Sequence, residues 1–151
     1  MKAAHDRLQE YWHRSDRNLN LQPAFDQEIR AIELRLDIVF PEDFRSYLSF
    51  IGDGQATVDQ HMTRWWPIGE LKSIPEEYRT GFGSAEVKGL AYSCIFFADF
   101  LVWSWAWAIC CHPGERYGQV IQIDSGSNDF FVAKNFAAFV DAYIAGEGFV
   151  V

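Results

Sequence analysis

Residues 28–52 read EIRAIELRLDIVFPEDFRSYLSFIG, and their spacing predicts two amphipathic helices broken at Phe40-Pro41. Proline suits the first turn of a helix, where its missing N–H costs nothing. Glu42 and Asp43 place negative charge at the positive end of that helix's dipole. Phe44, Tyr47, Leu48 and Ile51 follow at i, i+3, i+4 and i+7, which puts them on one apolar face. Gly52 is a natural C-terminal stop. Before the break, Phe25, Ile29, Ile32 and Leu36 form a second stripe of helical spacing.

Working outward, Ala4, Leu8, Tyr11 and Trp12 predict a first helix over roughly residues 3–15. SDRNLNLQP (15–23) is a polar loop. On the other side, TVDQHMTRWWPIGEL (57–71) reads as strand, turn and short strand, and PEEYR (75–79) as a helical turn or two. TGFGSAEVKG (80–89) is punctuated by glycine and reads as a loop. SCIFFADF (93–100) and VWSWAWAICCH (102–112) are continuously apolar, as central strands are. PGERYG (113–118) and SGSN (125–128) are turns around the strands QVIQID (119–124) and DFFVA (129–133). Asn135 is placed to cap a last helix in which Phe136, Phe139, Val140 and Tyr143 share a face. Helices, then an antiparallel meander, then a closing helix is an α+β order. The expected fold is a single domain over residues 1–151, a curved, mostly antiparallel sheet flanked by N-terminal helices and a C-terminal helix.

Of the 151 residues 49% are apolar and 17% aromatic, enough for a substantial core. The net charge of −8 argues against nucleic-acid binding, which needs clustered Lys and Arg. Cys94, Cys110 and Cys111 are odd in number and lie in apolar sequence. They read as small hydrophobes in a reducing, cytoplasmic compartment rather than as a disulfide framework. The N-terminal residues are charged and lack the apolar core of a signal peptide. Leu90 to Cys111 is long and apolar, but Asp99 interrupts it, and no membrane span is expected.

Chemistry-bearing patterns are sparse. Cys110 and His112 would share a strand face, but further zinc ligands at regular spacing are missing, so no metal or other cofactor is expected. Asp124 to Asp129 is rich in oxygen but lacks the glycine and distal glutamate of a calcium loop. The pairs Gly52/Gly54 and Gly81/Gly83 are too short for a phosphate loop. Asp99 stands within the apolar strands, where an unpaired carboxylate is costly. It reads either as a pocket acid or as a hydrogen-bonded acid at a strand end, and the second is favoured. Trp103, Trp105 and Trp107 alternate and would line one face of a strand. With Trp65, Trp66 and Asp99 they form either core or a candidate groove or pocket.

The order of these segments resembles the SMI1/KNR4 (SUKH) superfamily. Its pattern "LP-x-[DE]-[YF]-[KR]-x-[FY]-L" is met by Phe40-Pro41-Glu42-Asp43-Phe44-Arg45-Ser46-Tyr47-Leu48, with Phe40 where leucine is usual. Glu28 and Glu33 lie where the leading helix of the family carries its acid. Trp65-Trp66-Pro67-Ile68-Gly69-Glu70-Leu71 looks like its aromatic strand and "l-x-e-l" segment. Ile95-Phe96-Phe97-Ala98-Asp99 matches "iFFA-D", Gly118-Gln119-Val120 matches "G-x-V", and Val132 to Val140 matches the closing "vA-x-[SN]-F-x-x-F-[LIV]". The resemblance covers residues 25–146. It implies, for bacterial members, a non-enzymatic immunity protein against a polymorphic toxin, often a nuclease or deaminase, and for fungal members a regulatory scaffold. A protein toxin is therefore the expected partner. Loop acids would steer association, and Asp53, Asp59, Glu76, Glu77 and Glu115 are expected to be exposed for that purpose. A small-molecule binding domain using the tryptophan-rich face is a further alternative. The sequence leaves the oligomeric state open.

Overall fold

The computed structural model describes residues 2–14, 21–52, 58–77, 85–124 and 128–146. Among the described residues are six α-helices and six strands. The first three helices are α1 (Ala4–His13), α2 (Asp26–Leu36) and α3 (Glu42–Phe50). Two short strands, β1 (Thr63–Trp65) and β2 (Lys72–Ser73), precede the short helices α4 (Ile74–Glu77) and α5 (Ala85–Leu90). The long hairpin of β3 (Cys94–Phe100) and β4 (Trp105–Cys110) continues into β5 (Val120–Asp124) and β6 (Asp129–Ala133), and α6 (Phe136–Ala145) closes the chain. The sheet runs β1-β3-β4-β5-β6, with β2 also on β3, and every strand pair is antiparallel.

The opening stretch folds as its spacing requires. Phe44, Tyr47 and Leu48 are fully or almost fully buried on α3. α2 ends at Leu36, earlier than the proline implies, because Asp37 takes a left-handed conformation (φ 55°) that short acidic side chains tolerate. Glu33 ties the two helices together, accepting hydrogen bonds from Arg45 Nη1 at 2.5 Å and from the Phe40 amide at 2.8 Å. Gly52 ends the stretch with φ 55°. A Cβ there would stand 2.5 Å from the Ala24 nitrogen and 2.7 Å from the Leu48 carbonyl oxygen, so only glycine fits.

One face of the sheet packs against α1, α3 and α6. Phe97 lies among Phe44, Phe136 and Phe139, with ring centroids 5.4–5.6 Å apart. Trp107 packs on Phe139 at 5.2 Å. The register slips between Phe96 and Ala98, so Phe97 is a bulge residue. Such a bulge bends the strand, and Phe96 is free to face the other side, where it meets Trp66 and Trp103. Asn135 caps α6, its Oδ1 accepting from the Ala138 amide at 2.7 Å. Asp43 on α3 reaches the same helix start, accepting from the Ala137 amide at 3.0 Å.

Two expectations need correction. Residues 85–90 are helical rather than loop: Val87 is fully buried, and burial of this side chain outweighs the cost of Gly89 inside the helix. The second strand of the hairpin begins at Trp105, not Val102, because residues 101–104 form the turn. Among the described residues no helix is long and apolar enough to cross a membrane.

Candidate functional site

Asp59 is the best-connected side chain of the region and is entirely buried. It is not the exposed steering acid expected from its loop position. Its Oδ2 accepts from Trp12 Nε1 and Trp65 Nε1, both at 3.0 Å, and from the Tyr143 hydroxyl at 2.5 Å. Its Oδ1 accepts from the amides of His61 at 2.9 Å and Thr63 at 3.1 Å. Burial, and then the Asp59 charge, push the Tyr143 phenol well above its ordinary value. The physical reason for the inward turn is the tight hairpin Val58–Arg64, in which the Asp59 amide donates to Thr63 O and the Met62 amide to Asp59 O. That backbone directs the carboxylate into the core, where three side-chain donors from α1, β1 and α6 would otherwise be unsatisfied.

The hairpin fixes Met62, itself left-handed at φ 63°. Met62 O accepts from the Leu101 amide at 3.0 Å, joining the hairpin to the β3–β4 turn. In that turn Leu101, Val102 and Trp103 have φ of 48°, 50° and 66°. Three successive non-glycine residues in the left-handed region cost about 1–2 kcal/mol each. Hydrogen bonds hold them: the Ser104 amide donates to Phe100 O at 2.9 Å, and Ser104 Oγ to Leu101 O at 3.0 Å. Trp103 anchors the turn by packing edge-on against Phe96 and Trp66, at 5.2 and 5.8 Å. The result is an apolar projection. Val102 is 93% exposed, Met62 48% and Leu101 46%.

A cleft of about 270 Å³ lies beside this projection, with Val58, Met62, Leu101, Val102 and Trp103 as apolar walls. Its polar groups are Arg64 and Asp99. Asp99 is buried and accepts from Trp66 Nε1 at 2.6 Å. The Arg64 guanidinium stands 3.5 Å from the same carboxylate, contacts Glu70, and lies over the Trp66 ring. Asp99 is thus both hydrogen-bonded and part of a cleft wall. Among the described residues that line the cleft, none carries a hydroxyl, thiol or imidazole.

The remaining candidates are distributed. Trp65 and Trp107 are core residues, and Trp107 Nε1 donates to Gln122 Oε1 at 3.0 Å. Trp105 is half-buried and stacks on Phe100 at 4.3 Å. Trp103 does not share their face. The left-handed turn breaks the alternation and sends it to the Trp66 side, so the three rings form no single groove. Glu76, Glu77 and Glu115 are exposed. Glu76 accepts from the Ser73 amide and pairs with Arg35, and Glu77 pairs with Lys72. Asp53 lies outside the described residues. Met62, Leu101 and Val102 were missed, because nothing in Met, Leu or Val signals a left-handed backbone. The usable hint was indirect: an apolar run as long as Leu90–Cys111 needs a reversal, and Asp99 and Ser104 are its polar punctuation.

Among the described residues no three His, Cys, Asp or Glu side chains gather as a metal site. His112 is exposed while Cys110 is buried. No curated protein matches the chain. The model of the SMI1 / KNR4 family (SUKH-1) matches residues 23–142, most of the length, from the approach to α2 into α6, and the chain belongs to that family.

Proposed function

We propose that this chain is a non-enzymatic immunity protein that binds and neutralises a cognate bacterial polymorphic toxin of nuclease type. The observation that carries the reading is the exposed turn Leu101–Trp103, a strained apolar projection braced by Met62 and Trp103. Backbone strain of this kind persists where surrounding structure over-determines it, and it concentrates at ligand clamps. A pre-set projection loses little entropy on docking, which is how a small contact area becomes tight binding. The net charge of −8 supports steering toward a basic, nuclease-like surface. Glu76, Glu77 and Glu115 remain the steering candidates, with Asp53.

The test is protection of cells that express the toxin domain encoded beside this gene, together with calorimetric binding of that domain. Val102→Asp combined with Leu101→Asp should weaken binding at least about tenfold. Neutralising Glu76, Glu77 and Glu115 together should slow association and flatten its salt dependence without loss of folding. Binding to other host proteins without protection of cells would favour a regulatory scaffold using the same turn. The cleft supports a small-molecule reading less well: its volume of about 270 Å³ falls below the roughly 300–1,000 Å³ of ligand pockets. Native mass spectrometry that finds a retained ligand would reverse that preference.

A further inference from the structure

At the other end of the β3–β4 hairpin, Cys94 and Cys110 are direct cross-strand partners. Cys110 directs its backbone away from β3: its amide donates to Gln119 O at 2.8 Å, and its carbonyl accepts from the Gly118 amide at 2.7 Å. The two cysteines are therefore a non-hydrogen-bonded antiparallel pair. Such pairs hold their Cα atoms about 4.5 Å apart and their side chains closest, within the Cα range of roughly 4.4–6.8 Å that a disulfide accepts. The cross-strand pairing sets the two thiols side by side. Cys111 is the poor partner. Successive residues of an extended chain point to opposite sides, and its sulfur donates instead to Ile109 O at 3.8 Å.

We infer that Cys94 and Cys110 are an oxidisable dithiol site that closes to an intramolecular disulfide when the protein meets a hydroperoxide. The Cys110 sulfur attacks a peroxide oxygen and the O–O bond breaks. The departing hydroxide takes up the thiol proton as water, leaving a sulfenic acid at Cys110. The Cys94 sulfur then attacks the Cys110 sulfur, and the displaced hydroxide leaves as water with the Cys94 proton. Two thiols and one hydrogen peroxide become one disulfide and two waters.

Position assigns the roles: Cys110 lies two residues before the exposed turn 112–117 and meets the oxidant first, and Cys94 across the ladder resolves. The hydrogen bond from Cys94 holds the Cys110 thiol below its ordinary value against the effect of burial, helped by the His112 backbone and the Arg116 charge. The same contact, with burial, pushes Cys94 up. Both sulfurs are shut off from solvent, so reaction proceeds through opening of the exposed turn at residues 112–117 that follows β4. Disulfides are rare in reducing compartments, and those that form there are usually transient and redox-sensing. The bond would staple the base of the hairpin whose tip is the left-handed turn, a consequence independent of what that tip binds.

The experiment treats the full chain with hydrogen peroxide under native conditions. Remaining thiols are then counted in denaturant, and non-reduced peptides are mapped by mass spectrometry. Two of the three thiols should disappear, a Cys94–Cys110 link should appear, Cys111 should remain free, and dithiothreitol should restore all three. In Cys94→Ala, Cys110 should instead be trapped by dimedone as sulfenic acid. Three thiols surviving in the folded chain under peroxide that consumes them in urea would overturn the inference. So would a link that involves Cys111 or joins two chains. The map on the unmodified protein decides the matter even if the alanine variant does not fold.

Discussion

Replacing Asp59 by alanine should be among the most damaging single changes in the molecule. Five donors converge on this carboxylate, and three of them belong to Trp12, Trp65 and Tyr143, each at most 2% exposed. A buried donor left without an acceptor costs about 1–3 kcal/mol. The three side-chain donors alone therefore give at least about 3 kcal/mol, and the orphaned His61 and Thr63 amides add to it. Water entering the space would return part of this, so the expected loss is about 3–6 kcal/mol, a large share of the roughly 5–15 kcal/mol of an ordinary domain. Asn keeps the shape but turns an NH₂ group toward donors on one flank, and should cost about 2–3 kcal/mol. Tyr143→Phe removes one donor and should cost about 1.5–3 kcal/mol alone, but much less in the Asp59→Ala background, since the two residues form one network. Urea melts followed by tryptophan fluorescence measure all four proteins, with Glu115→Ala as an exposed control expected within about 0.5 kcal/mol of the parent. A loss under about 1 kcal/mol for Asp59→Ala at unchanged m-value would refute the network.

Three further outcomes are expected. The Tyr143 phenol titrates higher in the folded chain than the ordinary value of 10.0, so its contribution is complete below pH 10 and is lost above it. The slope is at most about 1.4 kcal/mol per pH unit, and Tyr143→Phe should flatten it in chemical melts between pH 9 and 11. Gly52→Ala should destabilise by more than about 2 kcal/mol by urea titration, because its Cβ meets backbone atoms on three sides and φ is positive. Val102→Gly should leave stability unchanged or raise it by up to about 1.5 kcal/mol, since about 1–2 kcal/mol of left-handed strain is relieved against about 0.5–1 kcal/mol of added chain entropy. The same change should weaken partner binding; a urea melt reads the first effect and a calorimetric titration the second.

The elements legible in the sequence are those whose own residues decide them. The stripe Phe44, Tyr47, Leu48 dictates α3, and Asn135 with Phe136, Phe139 and Tyr143 dictates α6; in both, periodicity and burial agree. The continuous apolar runs of β3 and β4 could be read because both faces of these strands are covered. Other features depended on distant residues. Asp59 reads as a loop acid because acids in turns are usually solvated. It is a core residue because Trp12, 47 positions earlier, and Tyr143, 84 positions later, bring it donors. Helix α5 was hidden by the glycines around it, and is held by the burial of Val87. Trp103 was assigned to the wrong face because alternation was carried through a turn that leucine, valine and tryptophan do not advertise.

The proposed docking role of the turn has a physical argument behind it in that conflict. Natural sequences are locally consistent with their folds almost everywhere, and local conflict is tolerated where function repays it. Val102 and Trp103 have every reason to continue a strand, one being β-branched and the other aromatic. A strand continued through Val102 would keep Trp103, Trp105 and Trp107 on one face and remove the projection. The structure instead takes the costly left-handed turn, places Trp103 against Trp66 and Phe96, and leaves Val102 almost wholly in solvent. Core packing explains Trp103 and does not explain an exposed valine in a strained conformation. Asp59 then has a second role: by shaping the hairpin that presents Met62, it sets the carbonyl that receives the Leu101 amide. Burial of the acid and exposure of the valine are two ends of one chain of contacts, Asp59 to Met62 to Leu101. Damage to the first should loosen the second before the sheet itself melts. Hydrogen exchange would reveal this as early loss of protection at the Leu101 amide in Asp59→Asn, with β4 amides still protected. Simultaneous loss at both would mean that the turn is held by the sheet alone.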